Sequence, residues 1–262
     1  MNNADFNQQL INFLNASPTP FHATHNMAVI LTKNGFNELQ ETNKWDTPAG
    51  KYFVTRNDSS IVAFIIGSNL LEDTGIRMVG AHTDSPCLKV KPQPERKSEG
   101  YQQLGVEVYG GVLLNPWFDR DLSLAGRVTF KTSKNQVKST LVNLERPIAI
   151  IPSLAIHLDR EANKDRTINP ETDLPPILLN ENETFSLANV LGDAAQGGEI
   201  LATDLYFYDT NPAQVIGIEE DFLASARLDN LLSCFTGLKS LLEADDSVSS
   251  LLVCNDHEEV GS

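Results

Sequence analysis

Apolar residues recur at helical spacing near the start of the chain. Phe6, Leu10, Phe13 and Leu14 share one face of residues 5–15, and Asp5 is the N-cap candidate. The SPTP run at 17–20 ends that helix, because proline and the residue before it both resist the α region. A second helix is expected over 22–33, stopped by Asn34 and Gly35. Two strand-like runs between 51 and 68 read as a hairpin turning at NDSS, 57–60. Residues 75–86, GIRMVGAHTDSP, read as a buried strand that ends in polar residues.

The texture changes after Val90. KPQPERKSEG, 91–100, reads as a linker or loop. Strand-like runs then dominate to about 216: 103–114, 124–132, 139–144, 148–158 and 200–210. A polar interruption at 180–199 carries the signal of one short helix. Helical text returns at 228–244, with Leu231, Phe235, Leu238 and Leu242 on one face. The last apolar strand, Leu251–Cys254, runs into NDHEE. The pattern predicts an α/β layer, 1–92 and 217–262, interrupted by a β-rich insertion, 93–216. Strands that end in acidic residues or His suit such a layer, whose ligands gather beyond the carboxyl ends of its strands.

Composition narrows the function classes. Lys and Arg number 20 against 35 Asp and Glu, a net charge of −15, so the basic footprint that nucleic acids and anionic membranes require is missing. No run approaches the length of a membrane span, and the first 18 residues hold neither a basic residue nor a long apolar core. The cysteines, Cys87, Cys234 and Cys254, are odd in number and far apart, which suits small buried thiols in a cytoplasmic protein.

Three polar clusters sit at element boundaries. His82 and Asp84 lie two apart at a strand end, where a metal-bound imidazole and an orienting carboxylate would fit; a bland loop pair fits as well. Asp229 precedes an amphipathic helix, so an N-cap is the default reading and a metal-bridging carboxylate the alternative. Consecutive Glu258 and Glu259 in extended backbone would point opposite ways, one toward a metal and one toward the proton of an activated water. A solvated acidic turn competes with that reading. Each cluster is weak alone, and their joint order is stronger. Other hydrolase signatures fail: Gly261 breaks H-E-x-x-H, and G-x-S-x-G, phosphate-binding glycine loops and C-x-x-C pairs are all missing.

FLNASPTPFHA (13–23), VGAHTDSPCLKVKP (79–92), NPWFDRDLSLAGRV (115–128), IPSLAIHLDRE (151–161), SARLDNLLSCF (225–235) and NDHEEVGS (255–262) together resemble the aspartyl aminopeptidases. The resemblance runs through essentially the whole chain. It implies a zinc-exopeptidase-like α/β/α sandwich with an inserted lid or dimerisation domain, two divalent ions (zinc, with Mn or Co as options), and peptide substrates with an acidic N-terminal residue. It also implies a homo-oligomer in which dimers assemble into a dodecamer. Carried over by position, His82 is a zinc ligand and Asp84 its orienting carboxylate. Asp229 bridges the metals, Glu258 is the general base and Glu259 ligates the second metal. His157 falls in the insertion, where a lone His amid aliphatics suits a structural role; the resemblance implies instead a substrate contact or, less directly, ligation. Asp119, Arg120 and Asp121 read as lid structure or a subunit contact.

The resemblance further implies an Asp and a His ligand, and the acid-selecting residues, after Ser262. The chain as it stands is therefore expected to be an N-terminal portion that retains metal weakly and has little activity. Two alternatives remain open: a related deacylase or neutral-residue aminopeptidase, and a noncatalytic assembly subunit.

Overall fold

A computed structural model of the protein describes residues 3–260. The chain divides into two compact units, Met1–Ser85 with Pro212–Ser262, and Pro86–Asn211.

The first unit opens with α1 (Asn3–Ala16) and α2 (Pro20–Lys33). Helix α1 starts upstream of its expected cap, so Asp5 lies inside the first turn, where it accepts a hydrogen bond from Gln9. Pro20 opens α2, and the Thr19 side chain accepts from the His22 N–H. The short β1 (Asn37–Glu38) precedes the hairpin β2 (Gly50–Arg56) and β3 (Ser60–Ile66). Asn57 and Asp58 make its turn at φ 52 and 57, a left-handed pair that Asn and Asp tolerate. After the one-turn α3 (Leu71–Thr74), β4 (Arg77–His82) leads out of the unit.

The second unit carries β5 (Cys87–Ser98), β6 (Tyr101–Tyr109), β7 (Leu122–Lys131), β8 (Val137–Asn143), β9 (Ile177–Asn180), the short α4 (Leu187–Leu191) and β10 (Glu199–Asp209). Six antiparallel strands run in the order β8-β7-β10-β5-β6-β9 around Leu88, Leu104, Leu122, Leu124, Val128, Leu205 and Phe207. Two expectations fail here. The 91–100 segment is no linker, because β5 runs through it and pairs with β6; Pro92 and Pro94 fall in the register break between Val90 and Glu95, where the ladder needs no N–H. The apolar 148–158 run forms no strand: it makes single bridges through Ala149 and Ile150 and then turns out, leaving Leu154, Ile156 and Leu158 exposed.

The chain returns to the first unit through β11 (Gln214–Ile216), β12 (Phe222–Ala224), α5 (Leu228–Leu242) and β13 (Ser250–Asn255). The sheet order is β1-β2-β3-β13-β4, with β13 antiparallel to β3 and parallel to β4. Leu231, Phe235 and Leu238 of α5 join Leu14, Met27, Leu31, Phe53, Ile61, Ile65 and Leu252 in one core. The Phe235 ring meets Phe6 at 5.3 Å and Phe13 at 5.5 Å. Gly237 lets α5 approach the sheet, since a Cβ there would lie 2.7 Å from Leu252 Cδ1 and 3.3 Å from Val79 Cγ1. Strand β4, expected to be buried, is the sheet's edge and is exposed from Arg77 to Gly80, with Met78 at 70%. An apolar run reads the same whether it is covered on two sides or one.

Candidate metal centre

Parallel pairing sets the site. Ala81 lies opposite Cys254 and His82 opposite Asn255, so β4 and β13 deliver their polar tails at the same carboxyl end. Thr83 fastens the junction: its N–H donates to the Asn255 carbonyl at 2.7 Å and its hydroxyl to the Ser59 carbonyl at 2.6 Å. From the other side comes the start of α5. Arg227 is left-handed at φ 61, and Asp229 and Asn230 depart from helical φ/ψ, so Asp229 is turned toward His82 instead of capping the helix.

The imidazole of His82 is the hub. Its Nδ1 lies 3.2 Å from the Asp84 carbonyl oxygen and 3.3 Å from Asp84 Oδ1. Its Nε2 lies 3.3 Å from Asp229 Oδ1 and 3.6 Å from Glu258 Oε2. In the tautomer that carries its proton on Nδ1, facing Asp84, Nε2 turns a lone pair toward two carboxylate oxygens. Acceptors that converge in this way call for a proton or a cation between them. The ligand atoms of His82, Asp229 and Glu259 all lie within 4.8 Å of one another. Burial pushes the Glu259 carboxyl above the usual range; His82 opposes this, while Asp229, Asp84 and Glu258 add to it. One imidazole nitrogen and two carboxylates fit a divalent cation of the Zn, Mn or Co type. Among the described residues these three donors form the cluster, fewer than two four-coordinate zinc ions take.

Asp84 has a second job that the sequence does not announce. Its carboxylate, 1% exposed, accepts the main-chain N–H of Glu258 at 3.3 Å and of Glu259 at 3.0 Å, tying the first motif to the last. The glutamates sit in a turn beyond β13, so the alternation expected of extended backbone does not apply; Glu259 reaches the cluster while Glu258 faces His82 Nε2. His257 supports that turn at φ 69, its N–H donating to Asp256 Oδ1 at 2.8 Å. Burial raises the Asp256 carboxyl, against the pull of Ser59 and His257.

His157 sits on an exposed turn of the second unit. Asp119 serves that unit's loops: its Oδ1 accepts the Ser153 N–H at 2.8 Å, which lowers its pKa. Arg120 pairs with Asp209 at 3.3 Å, and the Asp121 carbonyl accepts the Thr210 N–H. Asn230 and Cys234 also touch the site, and no motif spacing points to them.

A mixed α/β fold with this cluster at the ends of parallel strands defines a candidate metal-binding α/β protein. The chain belongs to the M18 family, described as aminopeptidase I zinc metalloproteases, whose profile matches residues 13–262. A relative from Pseudomonas fluorescens (strain Pf0-1), described as a probable M18 family aminopeptidase 2, is 57% identical over 267 residues, which cover 98% of this chain and 62% of the relative. The chain thus spans about three-fifths of the length of the curated relatives it matches. A chain in the cryo-EM structure of the Ape4 and Nbr1 complex is 37% identical, with a TM-score of 0.91 over 99% of this chain and 55% of that one. The S. cerevisiae mApe1 dodecamer is 29% identical, with a TM-score of 0.81 over 98% of this chain and 62% of that one.

Proposed function

We propose that the protein acts as a metal-dependent aminopeptidase that removes acidic residues from peptide N-termini. The observation that carries this reading is the convergence of His82, Asp229 and Glu259 within 4.8 Å, with Glu258 beside them. His82 Nε2, Asp229 and Glu259 would hold the cation. A bound cation would supply Lewis acidity, lowering the pKa of an associated water toward about 7. Glu258 takes the proton from the attacking water and returns it to the leaving amine. Asp84 holds the imidazole by Nδ1 and keeps Nε2 pointed inward.

The SPTPF and NPWFDRDL stretches support the acidic specificity through their resemblance to aspartyl aminopeptidases. We assign His157 a substrate contact on the same ground, and residues 93–216 a lid and dimerisation role. The dodecameric mApe1 supports a homo-oligomer. Among the described residues no helix is long and apolar enough to cross a membrane, and Cys87, Cys234 and Cys254 are joined by no disulfide, as suits the cytoplasm.

The test uses the protein expressed from its gene, loaded with zinc, manganese or cobalt, on Asp-, Glu- and Leu-p-nitroanilides. Faster release from Asp and Glu is expected. Preference for Leu would transfer the protein to the neutral aminopeptidases, and a protein that takes up no metal would favour an assembly subunit.

A further inference from the structure

His82 sits at an unusual point of the sheet. A strand residue's N–H and C=O point to one side, and the next residue's point to the other. Thr83 directs its N–H at β13, through the Asn255 carbonyl, so the main-chain groups of His82 face the open edge of β4. Among the described residues no strand meets them there. Two side chains of α5 do so instead. Asn230 Oδ1 accepts the His82 N–H at 3.2 Å, and the Cys234 thiol donates to the His82 carbonyl at 3.0 Å. Asn230 stands at the irregular start of α5 and Cys234 in its first regular turns, and together they take the places of the two rungs that a neighbouring strand would supply.

Asn230 does more. Its oxygen is committed to the His82 N–H, so its amide nitrogen is left for Asp229, and Nδ2 donates to Asp229 Oδ1 at 3.2 Å. That same Oδ1 lies 3.3 Å from His82 Nε2. One amide therefore holds the main chain of one cation donor and the carboxylate of another. We propose that Asn230 is a positioning residue of the centre, fixing the separation of His82 and Asp229, with Cys234 securing the other half of the His82 peptide. This rests on the metal-dependent reading above. Neither residue is one of the three donors: Asn230 acts through its two neighbours, and Cys234, fully buried, acts through the His82 carbonyl.

Two readouts on the full chain test this. Amide hydrogen exchange of 15N-labelled, metal-free protein reports the His82 N–H directly. Asn230→Ala should speed its exchange about tenfold, the worth of one hydrogen bond. Asn230→Asp keeps an acceptor there and should preserve protection. Titration with Co²⁺, followed by visible absorption, reports the donor geometry. Asn230→Ala should weaken binding by roughly 10–100-fold and alter the shape of the cobalt band, as loss of an outer partner does. Cys234→Ala should shift the band less, and Cys234→Ser, which keeps a donor, should restore it. A purely structural Asn230 would lower the unfolding midpoint and leave His82 exchange, cobalt affinity and band shape as in the wild type; that result overturns the proposal. Wild-type protein that takes up no cobalt overturns the metal-dependent reading itself and this inference with it. Cobalt uptake equal in wild type and Asn230→Ala overturns only the inference.

Discussion

Asp84→Asn removes one charge and changes no shape, which makes it the sharpest probe of how the centre is organised. The native carboxylate is 1% exposed, accepts the main-chain N–H groups of Glu258 at 3.3 Å and Glu259 at 3.0 Å, and has its Oδ1 3.3 Å from His82 Nδ1. An amide offers one oxygen and one NH2. Whichever way it flips, its NH2 faces the N–H of Glu258 or of Glu259, donor against donor. A hydrogen bond to a charged group contributes about 1.5–3 kcal/mol, and a buried donor left unmatched costs a similar amount. Removing a carboxylate from beside Asp229, Glu258 and Glu259 relieves some repulsion in the metal-free protein, so the low end applies. The expected loss is about 2 kcal/mol in urea unfolding, with the m-value unchanged. Zinc or cobalt affinity should fall by roughly 10–100-fold, because imidazole and glutamates lose their common anchor. A variant within about 0.5 kcal/mol of wild type, with unaltered cation affinity, would refute the role given to Asp84.

Three further outcomes are expected. Burial, with a smaller contribution from His25, lowers the His22 pKa from 6.5 to about 4, so the folded state keeps the ring neutral where the unfolded chain takes up a proton. The stability this contributes is present above pH 6.5 and drains away as pH falls toward 4, by about 3 kcal/mol in all; His22→Gln should flatten that slope in urea titrations across the range. Gly126 has φ +156, and a Cβ there would sit 2.0 Å from the Asp204 carbonyl oxygen, backbone that cannot yield. Gly126→Ala should cost about 3 kcal/mol and lower the thermal midpoint measured by circular dichroism. Glu258→Gln should cut kcat by roughly 10²–10⁴-fold with cation content unchanged, and a variant that keeps wild-type kcat removes Glu258 from the proton path.

What the sequence exposes and what it hides divide along physical lines. The helix faces of α1, α2 and α5 and the β2–β3 hairpin are legible because their signals are local: periodicity, a proline stop, a turn pair. The residues at the ends of β4 and β13 are legible as a set because strand ends are where an α/β sheet gathers polar groups. The links among them are not. Asp84 reaches the glutamates, and Asn230 reaches His82, only because β13 pairs with β4 and α5 crosses it, contacts that span about 150–175 positions. The prolines at 92 and 94 mislead because a bulge accepts what a regular ladder rejects. The 148–158 run misleads because β-propensity needs a partner strand, and beyond Ile150 this run finds none.

The central claim is that His82, Asp229 and Glu259 grip one divalent cation, and crystallography at the zinc absorption edge tests it most directly. Zinc-soaked crystals should show an anomalous peak about 2.0–2.2 Å from His82 Nε2 and from carboxylate oxygens of Asp229 and Glu259. A zinc peak bound away from these three side chains, or none at saturating zinc, would contradict it.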